Sequence, residues 1–164
     1  MGCGKTAVGM RLSEVLTMPF LDLDAEIEKD TNLSVKDIFA AKGEIYFRKK
    51  ESEILATLLA QKNNFVLATG GGAPCYGTTL ELLKNTPNTV VCYLNASVPI
   101  LTERLFPERH KRPLIAHLDT PDTLEDFIRK HLFERAYYYQ QADVKIDANE
   151  TVETIVASIV LRLF

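Results

Sequence analysis

Apolar positions along the chain alternate between the spacing of helices and the short runs of buried strands. Helical spacing predicts helices over 4–17, 35–42, 44–61, 99–105, 123–140 and 151–163. Short apolar runs predict strands over 19–24, 65–68, 89–94 and 144–146. Ser34 has the character of an N-cap, and Gly43 is expected to break the helix that follows it. Strands that alternate with helices indicate an α/β fold with a mainly parallel sheet.

Ligands of such sheets bind beyond the carboxyl ends of the strands. We therefore expect the chemistry directly after the predicted strands. A pair of aspartates and a run of three glycines stand at two of these ends. A Gly-Lys-Thr sequence opens the first predicted helix.

Composition narrows the class of protein. The 164 residues fit a single domain over 1–164, and 46% hydrophobic with 25% charged residues is an ordinary globular balance. A net charge of −3 argues against a nucleic-acid partner. No apolar run has the length of a membrane span, and no signal peptide is visible. Three scattered cysteines, without metal-ligand or disulfide spacing, favour a reducing cytoplasm and thiols without a role.

The first residues have the pattern of the second half of a phosphate-binding P-loop. The glycines allow backbone N–H groups to turn toward phosphate oxygens, and the following helix directs its positive end at the anion. Lys5 would reach the β- and γ-phosphates, and the Thr6 hydroxyl would bind Mg²⁺. The predicted ATP-binding residues are Gly2, Cys3, Gly4, Lys5, Thr6 and Ala7.

Asp22 and Asp24 end the first predicted strand, where residues i and i+2 share a face. Asp22 is a candidate ligand of Mg²⁺ through water, and Asp24 a candidate acceptor for a substrate proton or hydroxyl. Two solvated turn residues, or an N-cap at Asp24, are the structural alternatives.

Arg48 and Glu51 are three residues apart on one predicted helix, so the Glu51 carboxylate would hold the Arg48 guanidinium. The remaining N–H groups of the guanidinium would be available to a ligand carboxylate. A plain surface ion pair is the alternative. Gly70, Gly71 and Gly72 follow a buried-type strand and would let a ligand approach the backbone.

Arg109 and Arg112 lie in a basic stretch predicted to be irregular, either a mobile segment that closes over ATP or a solvated loop. Arg135 lies late on a predicted helix, where a cation needs no function. The tyrosines at 137–139 are predicted to pack rather than to form a stacking platform.

Together these elements resemble the shikimate kinase family, and they occur in the family's order along nearly the whole chain. The matching elements are Gly2-x-Gly4-Lys5-Thr6, Asp22-x-Asp24, Gly43-Glu44-x-x-Phe47-Arg48-x-x-Glu51, Thr69-Gly70-Gly71-Gly72, Arg112-Pro113 and Glu134-Arg135. The resemblance implies phosphorylation of the 3-hydroxyl of shikimate by ATP and Mg²⁺, a step of aromatic amino acid synthesis through chorismate. It also implies a three-layer P-loop kinase fold with a parallel sheet of five strands in the order 2-3-1-4-5.

The resemblance assigns roles to individual residues. Lys5, Asp24 and Arg112 would be catalytic, with Arg112 also reaching ATP from a lid over about 107–122. Thr6 and Asp22 would support Mg²⁺. A substrate-binding segment over about 24–53 is implied, and the predicted substrate-binding residues are Asp24, Arg48, Gly70, Gly71, Gly72 and Arg135. A cytoplasmic monomer with no nucleic-acid or membrane partner is expected.

The chain departs from the family pattern in three places. No proline follows Arg135, and no arginine stands near residues 147–150 on the expected adenine side. The first strand and the first P-loop glycine would precede Met1. We therefore expect an upstream extension of about 8–15 residues, mostly apolar. Two alternatives stay open: a related small-acid or sugar kinase such as gluconate kinase, and a nucleotide-binding paralogue without activity.

Overall fold

The computed structural model describes residues 1–61 and 63–164. The chain divides into two compact units. The first unit is Lys5–Val91, and the second unit combines Met1–Gly4 with Cys92–Phe164. Each unit has its own two-stranded sheet and its own helices.

The first unit is built on two parallel strands. Its elements in chain order are α1 (Lys5–Leu16), β1 (Phe20–Asp22), α2 (Leu23–Thr31), α3 (Val35–Leu59), β2 (Val66–Ala68), a 3₁₀ helix (Ala73–Cys75) and α4 (Thr79–Asn85). Phe20 pairs with Val66, and Asp22 with Ala68, so both strands end at the same edge. The aspartate pair and the glycine run therefore begin side by side, as the sequence predicts for a parallel sheet.

The core of the first unit lies between α2, α3 and α4. Its buried members are Leu23, Ile27, Ile38, Phe47, Leu55, Leu58 and Leu83. Five of these seven side chains come from α3 or from α4, and the two from α2 are spaced four residues apart on one face. This packing fixes α3, the helix that carries Arg48 and Glu51.

Local chain chemistry explains where these helices begin and break. Asp22 is the N-cap of α2, with its carboxylate accepting the Asp24 N–H at 3.0 Å. The predicted strand over 19–24 is therefore two residues too long at its end. The predicted N-cap Ser34 accepts the Asp37 N–H at 3.1 Å, as expected. Gly43 interrupts α3 with φ 79° and ψ 174°, a conformation that is almost restricted to glycine.

The second unit is also built on two parallel strands, each four residues long. It contains β3 (Cys92–Asn95), α5 (Val98–Leu105), a 3₁₀ helix (Phe106–Lys111), α6 (Pro121–Tyr139), β4 (Val144–Asp147) and α7 (Val152–Leu163). β3 and β4 are parallel, with Cys92 opposite Val144 and Asn95 opposite Asp147. Leu94 and Ile146 are buried from the two strands, and Leu105, Ile115 and Leu124 are nearly inaccessible.

Two expectations in this unit are wrong. The strand predicted over 89–94 begins only at Cys92, and Val90 is 51% exposed, so no burial holds that residue in a sheet. The stretch around Arg109 is not irregular, because Phe106–Lys111 forms a 3₁₀ helix. Arg109 itself is bound within that turn, donating to the Phe106 carbonyl at 2.9 Å. Among the described residues, no helix is long and apolar enough to cross a membrane.

Candidate active site

The phosphate-loop residues have the backbone conformation and the following helix that the sequence predicts for them. Gly2 and Gly4 have φ of 75° and 86°, in the left-handed region that favours glycine. α1 begins at Lys5, so Lys5 and Thr6 occupy its first turn, where backbone N–H groups have no helical acceptor. Gly2 also has no room for a side chain, since a Cβ there would lie 2.8 Å from Leu105 Cγ. This geometry suits an anion at the start of α1.

Asp22 and Asp24 take different positions from those predicted. They lie at the start of α2 rather than on one face of a strand, and Asp22 rather than Asp24 is the N-cap. Burial, with the neighbouring charge of Asp22, raises the pKa of Asp24 above its usual value. Lys5 and Arg48 lie near enough to oppose that rise. Asp24 is thus a more basic carboxylate than an exposed one, which suits a proton acceptor.

Arg48 is held by two carboxylates of its own helix. Its Nη1 donates to Glu51 Oε2 at 2.8 Å, and Glu44 Oε1 lies 3.4 Å from Nε and Nη2. The Glu51 residue is 1% exposed and the Arg48 side chain 19%. The alternative of a surface ion pair is therefore wrong. A buried carboxylate that fixes a guanidinium is an arrangement for binding rather than for surface charge.

The second oxygen of Glu51 has no hydrogen-bond partner. Among the described residues, Glu51 Oε1 is buried and receives no donor. Burial raises the pKa of Glu51, and the Arg48 hydrogen bond only partly opposes this. A buried acceptor without a donor is costly, so this atom marks a place where a donor group is expected.

The triple glycine borders the same carboxylates. A Cβ on Gly70 would lie 3.4 Å from Glu51 Oε1 and 3.5 Å from Asp24 Oδ1. A Cβ on Gly72 would lie 2.7 Å from Arg48 Nη2. The glycines were predicted to admit a ligand to the backbone. The structure adds a second reason, since Gly72 must lack a side chain for Arg48 to occupy its position.

The first unit therefore brings together many of the predicted residues, namely Lys5, Asp22, Asp24, Arg48, Gly70 and Gly72. Gly71 lies between the last two, and its carbonyl faces the Cys75 thiol at 3.9 Å. Thr6 and Ala7 follow Lys5 on α1. Gly2, Cys3, Gly4, Arg112 and Arg135 belong to the second unit.

Within the second unit, Arg112 ends the 3₁₀ helix and Arg135 lies on α6. Among the described residues, Arg112 Nε is buried without an acceptor. Burial, followed by the charge of Arg135, lowers the pKa of His131 to about 4, so this histidine is neutral near pH 7. Tyr139 stacks on Tyr93 at 5.0 Å between ring centroids, which is the packing role predicted for that tyrosine.

Two neighbours of Arg48 were not singled out by sequence reasoning. Glu44 belongs to the Gly43-Glu44-x-x-Phe47-Arg48 motif, and its spacing of four residues from Arg48 is a recognisable ion-pair signal. The Tyr76 ring lies over the guanidinium, with Arg48 Cζ 4.1 Å from the ring centroid. No spacing rule predicts this contact, because Tyr76 reaches Arg48 only through the turn after the glycines.

A P-loop before α1, carboxylates at the ends of parallel strands and a partly buried arginine held by a buried glutamate define a small-molecule kinase of the P-loop class. A profile of the family described as "Shikimate kinase" matches residues 1–164. The chain belongs to the shikimate kinase family. The fold class and the enzyme class predicted from the sequence, an α/β P-loop phosphotransferase, are thereby confirmed.

Individual relatives agree with this assignment. The shikimate kinase of Flavobacterium johnsoniae is 45% identical over 160 residues, which are 97% of this chain and 92% of that protein. The crystal structure of the enzyme from Bacteroides thetaiotaomicron superposes with a TM-score of 0.86 at 33% identity, covering 99% of this chain and 93% of that one. A complex of shikimate kinase from Acinetobacter baumannii with shikimate has a TM-score of 0.84 at 35% identity, with 99% and 87% covered.

These relatives decide between the enzymes left open by the sequence. The family is that of kinases for shikimate and not for gluconate. ATP-dependent phosphorylation of shikimate in aromatic amino acid biosynthesis is the function of this family, as the sequence predicts.

Proposed function

We propose that this chain transfers the γ-phosphate of ATP to the 3-hydroxyl of shikimate, giving shikimate 3-phosphate and ADP. The observation that carries the proposal is the Arg48 guanidinium, held at 2.8 Å by the buried Glu51 and flanked by Gly72. Arginine offers a planar fork of N–H groups that matches a carboxylate. A small acid is therefore the acceptor that this part of the site would recognise.

The acceptor end of the site would bind shikimate in two ways. Arg48 would hold its carboxylate, together with Arg135, which is assigned by family resemblance. Asp24 and the glycines at 70–72 would hold its hydroxyls. Two positive groups explain how a chain with a net charge of −3 binds an anionic substrate.

Asp24 would act on the hydroxyl that is phosphorylated. A hydroxyl is a weak nucleophile, so a carboxylate that accepts its proton or its hydrogen bond lowers the barrier. The raised pKa of Asp24 increases its basicity, while the charge of Lys5 keeps the ionised form accessible. The substrate-binding segment over about 24–53 would contain both Asp24 and Arg48.

The nucleotide end would consist of the P-loop and the lid. Backbone N–H groups of residues 2–7 would surround the phosphates, and Lys5 would place its charge on the β- and γ-phosphates. Arg112, on the lid over about 107–122, would add positive charge at the transferring group. Its buried Nε without an acceptor is a donor for which a ligand oxygen would be a partner.

The predicted Mg²⁺ suits the residues assigned to it. Thr6 and Asp22 offer a hydroxyl and a carboxylate, the oxygen donors that Mg²⁺ prefers. Among the described residues no group of three or more metal-binding side chains occurs. Such a group is not needed, since Mg²⁺ in kinases is held by few protein oxygens with phosphates and water. The ion would neutralise phosphate charge, while Asp22 Oδ1 keeps its bond to the Asp24 N–H.

Further expectations concern the whole chain. In the family's numbering, β1 and β2 would be strands 2 and 3, and β3 and β4 would be strands 4 and 5. The parallel pairs β1–β2 and β3–β4 therefore support two of the pairings in the order 2-3-1-4-5. A single domain and a cytoplasmic monomer remain predictions.

The experiment that tests the function measures ADP and shikimate 3-phosphate formed from ATP, Mg²⁺ and shikimate. Arg48→Ala should raise the KM for shikimate by about 30-fold or more, since losing one partner of a buried charge pair costs about 2–5 kcal/mol. The KM for ATP should change little. Arg11→Ala is the matched control, because Arg11 also contacts a glutamate three residues on at 2.8 Å but is exposed.

Two outcomes would contradict the proposal. An unchanged KM for shikimate in Arg48→Ala would remove Arg48 from the acceptor site. A wild-type chain that binds ATP but forms no shikimate 3-phosphate would instead be the inactive paralogue considered above.

A further inference from the structure

Tyr76 meets Arg48 from outside the helix that carries the arginine. The triple glycine leads into the 3₁₀ helix Ala73–Cys75, and Tyr76 follows it with an extended backbone at φ −125° and ψ 142°. Gly77 then turns the chain with φ 55°. This turn places the Tyr76 ring over the guanidinium, with Arg48 Cζ 4.1 Å from the ring centroid. A separation of this size is well inside the range of a cation–π contact.

The guanidinium is held by different groups at its edges and at its face. Glu51 and Glu44 bind N–H groups at the edges, at 2.8 Å and 3.4 Å. Both come from α3, the helix that carries Arg48 itself. The Tyr76 ring covers one face of the guanidinium. A Cβ on Gly72 would lie only 2.7 Å from Nη2, so the guanidinium also packs closely against the Gly72 backbone. The Phe47 ring is more distant, at 5.2 Å from Cζ.

These two kinds of contact have different consequences for a ligand. A carboxylate at an edge occupies N–H donors, whereas a stacked ring restrains the guanidinium plane without using any donor. The plane must be fixed if two parallel N–H groups are to meet the two oxygens of a carboxylate. Tyr76 therefore supplies a restraint that Glu44 and Glu51 cannot supply without removing donors from the ligand.

We propose that Tyr76 is a positioning residue for the substrate carboxylate, acting through Arg48 by stacking on the face of its guanidinium. The proposal rests on the proposed function, because it requires Arg48 to bind the carboxylate of shikimate. The aromatic ring is the active feature, and the Tyr76 hydroxyl is not required. Tyr76 is 39% exposed, so its replacement removes little buried core.

The test combines Tyr76 variants with Arg48→Ala in a double-mutant cycle. Tyr76→Leu should raise the KM for shikimate by about 3- to 10-fold, the scale of one partly desolvated cation–π contact. The kcat and the KM for ATP should stay within about 2-fold. Tyr76→Phe, which keeps the ring, should keep the wild-type KM for shikimate. Adding Tyr76→Leu to Arg48→Ala should produce no further rise, because the group on which the ring acts is gone.

The controls separate positioning from a loss of fold. Tyr76→Phe is the matched control, because it removes only the hydroxyl and keeps the ring over Arg48. Tyr76→Met is the second variant without a ring, for use if Tyr76→Leu fails to fold. Thermal unfolding of each variant would be recorded alongside the kinetics.

Several results would overturn the inference. An unchanged KM in Tyr76→Leu, an equal rise in Tyr76→Phe, or a rise that persists in the Arg48→Ala background would each do so. If these occur while Arg48→Ala alone raises the KM, only the role of Tyr76 fails. If Arg48→Ala itself leaves the KM unchanged, the acceptor assignment fails and the role of Tyr76 fails with it.

Discussion

At the scale of single residues, the site combines one guanidinium with two carboxylates that are more basic than exposed ones. Burial raises the pKa of both Asp24 and Glu51, and the charge of Asp24 adds to the rise at Glu51. Arg48 opposes the rise at both. Burial lowers the pKa of Arg48 itself, but the Glu51 hydrogen bond and nearby carboxylates outweigh this, so the arginine stays charged. The cluster thus keeps a fixed positive group beside two unusually basic carboxylates.

Replacing Asp24 tests the role of the more basic carboxylate. Asp24→Asn should lower the kcat by about two orders of magnitude or more, because the amide cannot accept the hydroxyl proton. In the wild type, kcat/KM should fall as the pH is lowered through the raised pKa of Asp24, which lies above 3.8. Steady-state kinetics against pH would measure both effects.

Stability should respond to the same substitution in a defined direction. A carboxyl whose folded pKa is raised favours the folded state below its unfolded pKa, and this contribution is lost as the pH rises through the folded pKa. At neutral pH, Asp24→Asn should therefore not destabilise the protein. Asp30→Asn, on the same helix and 3.2 Å from Lys50, is the matched control and should keep the wild-type kcat. Full turnover in Asp24→Asn would leave Asp24 without a role in the chemistry.

Sequence patterns predicted the types of residue in the site better than their geometry. The spacing of Arg48 and Glu51 predicts their contact, and their separation of 2.8 Å confirms it. The same spacing gives 2.8 Å for Arg11 and Glu14 on the surface, so it carries no information on burial. Burial of Glu51 depends on residues distant in sequence, among them Gly70, and this is why sequence alone left the alternatives open.

At the scale of elements, helix caps and tight packing decide where the site residues lie. Asp22 is both the last residue of β1 and the N-cap of α2, so no loop separates the strand from the helix. This direct junction fixes the positions of Asp22 and Asp24. The apolar run through Leu23 was predicted to be strand throughout. Its burial in a helix could not be distinguished from burial in a strand over so few residues.

The packing of α1 on β1 gives a test at this scale. Gly9 is buried on α1, and a Cβ there would lie 2.6 Å from Phe20 Cε2. Gly9→Ala gains about 1 kcal/mol in helix propensity. Overpacking of a close contact costs about 1–3 kcal/mol. We expect a net loss of about 1 kcal/mol in the free energy of unfolding, measured by urea denaturation.

The control is to make Gly9→Ala in a Phe20→Leu variant. In Phe20→Leu the ring atom that obstructs the Cβ is absent, so adding Gly9→Ala should be neutral or stabilising. A gain in stability for Gly9→Ala in the wild-type background would show that the Phe20 ring moves aside without cost.

At the scale of the whole molecule, the chain carries a net charge of −3. This charge makes nonspecific attraction of anions unfavourable, so the proposed function would require anion binding by a few placed groups such as Lys5 and Arg48. The family match over 1–164 shows that sequence motifs alone identified the class correctly. They did so because each motif stands where a parallel strand ends or a helix begins.

The rise in Tm on adding a ligand measures binding at the site through the stability of the whole chain. A ligand that binds only the folded state stabilises it by about 2.7 kcal/mol at a concentration 100 times its Kd. For a chain of this size each kcal/mol raises the Tm by about 2–4 °C, so shikimate and ATP with Mg²⁺ should each raise the Tm by about 5–10 °C. In Arg48→Ala, the shift with shikimate at the wild-type concentration should fall to about a third, about 2–4 °C, because a Kd raised about 30-fold leaves about 0.9 kcal/mol. The shift with ATP should persist, and Arg11→Ala should keep both. Loss of both shifts in Arg48→Ala would show that the substitution disturbs the fold, and would withdraw Arg48 as a selective group for the acid.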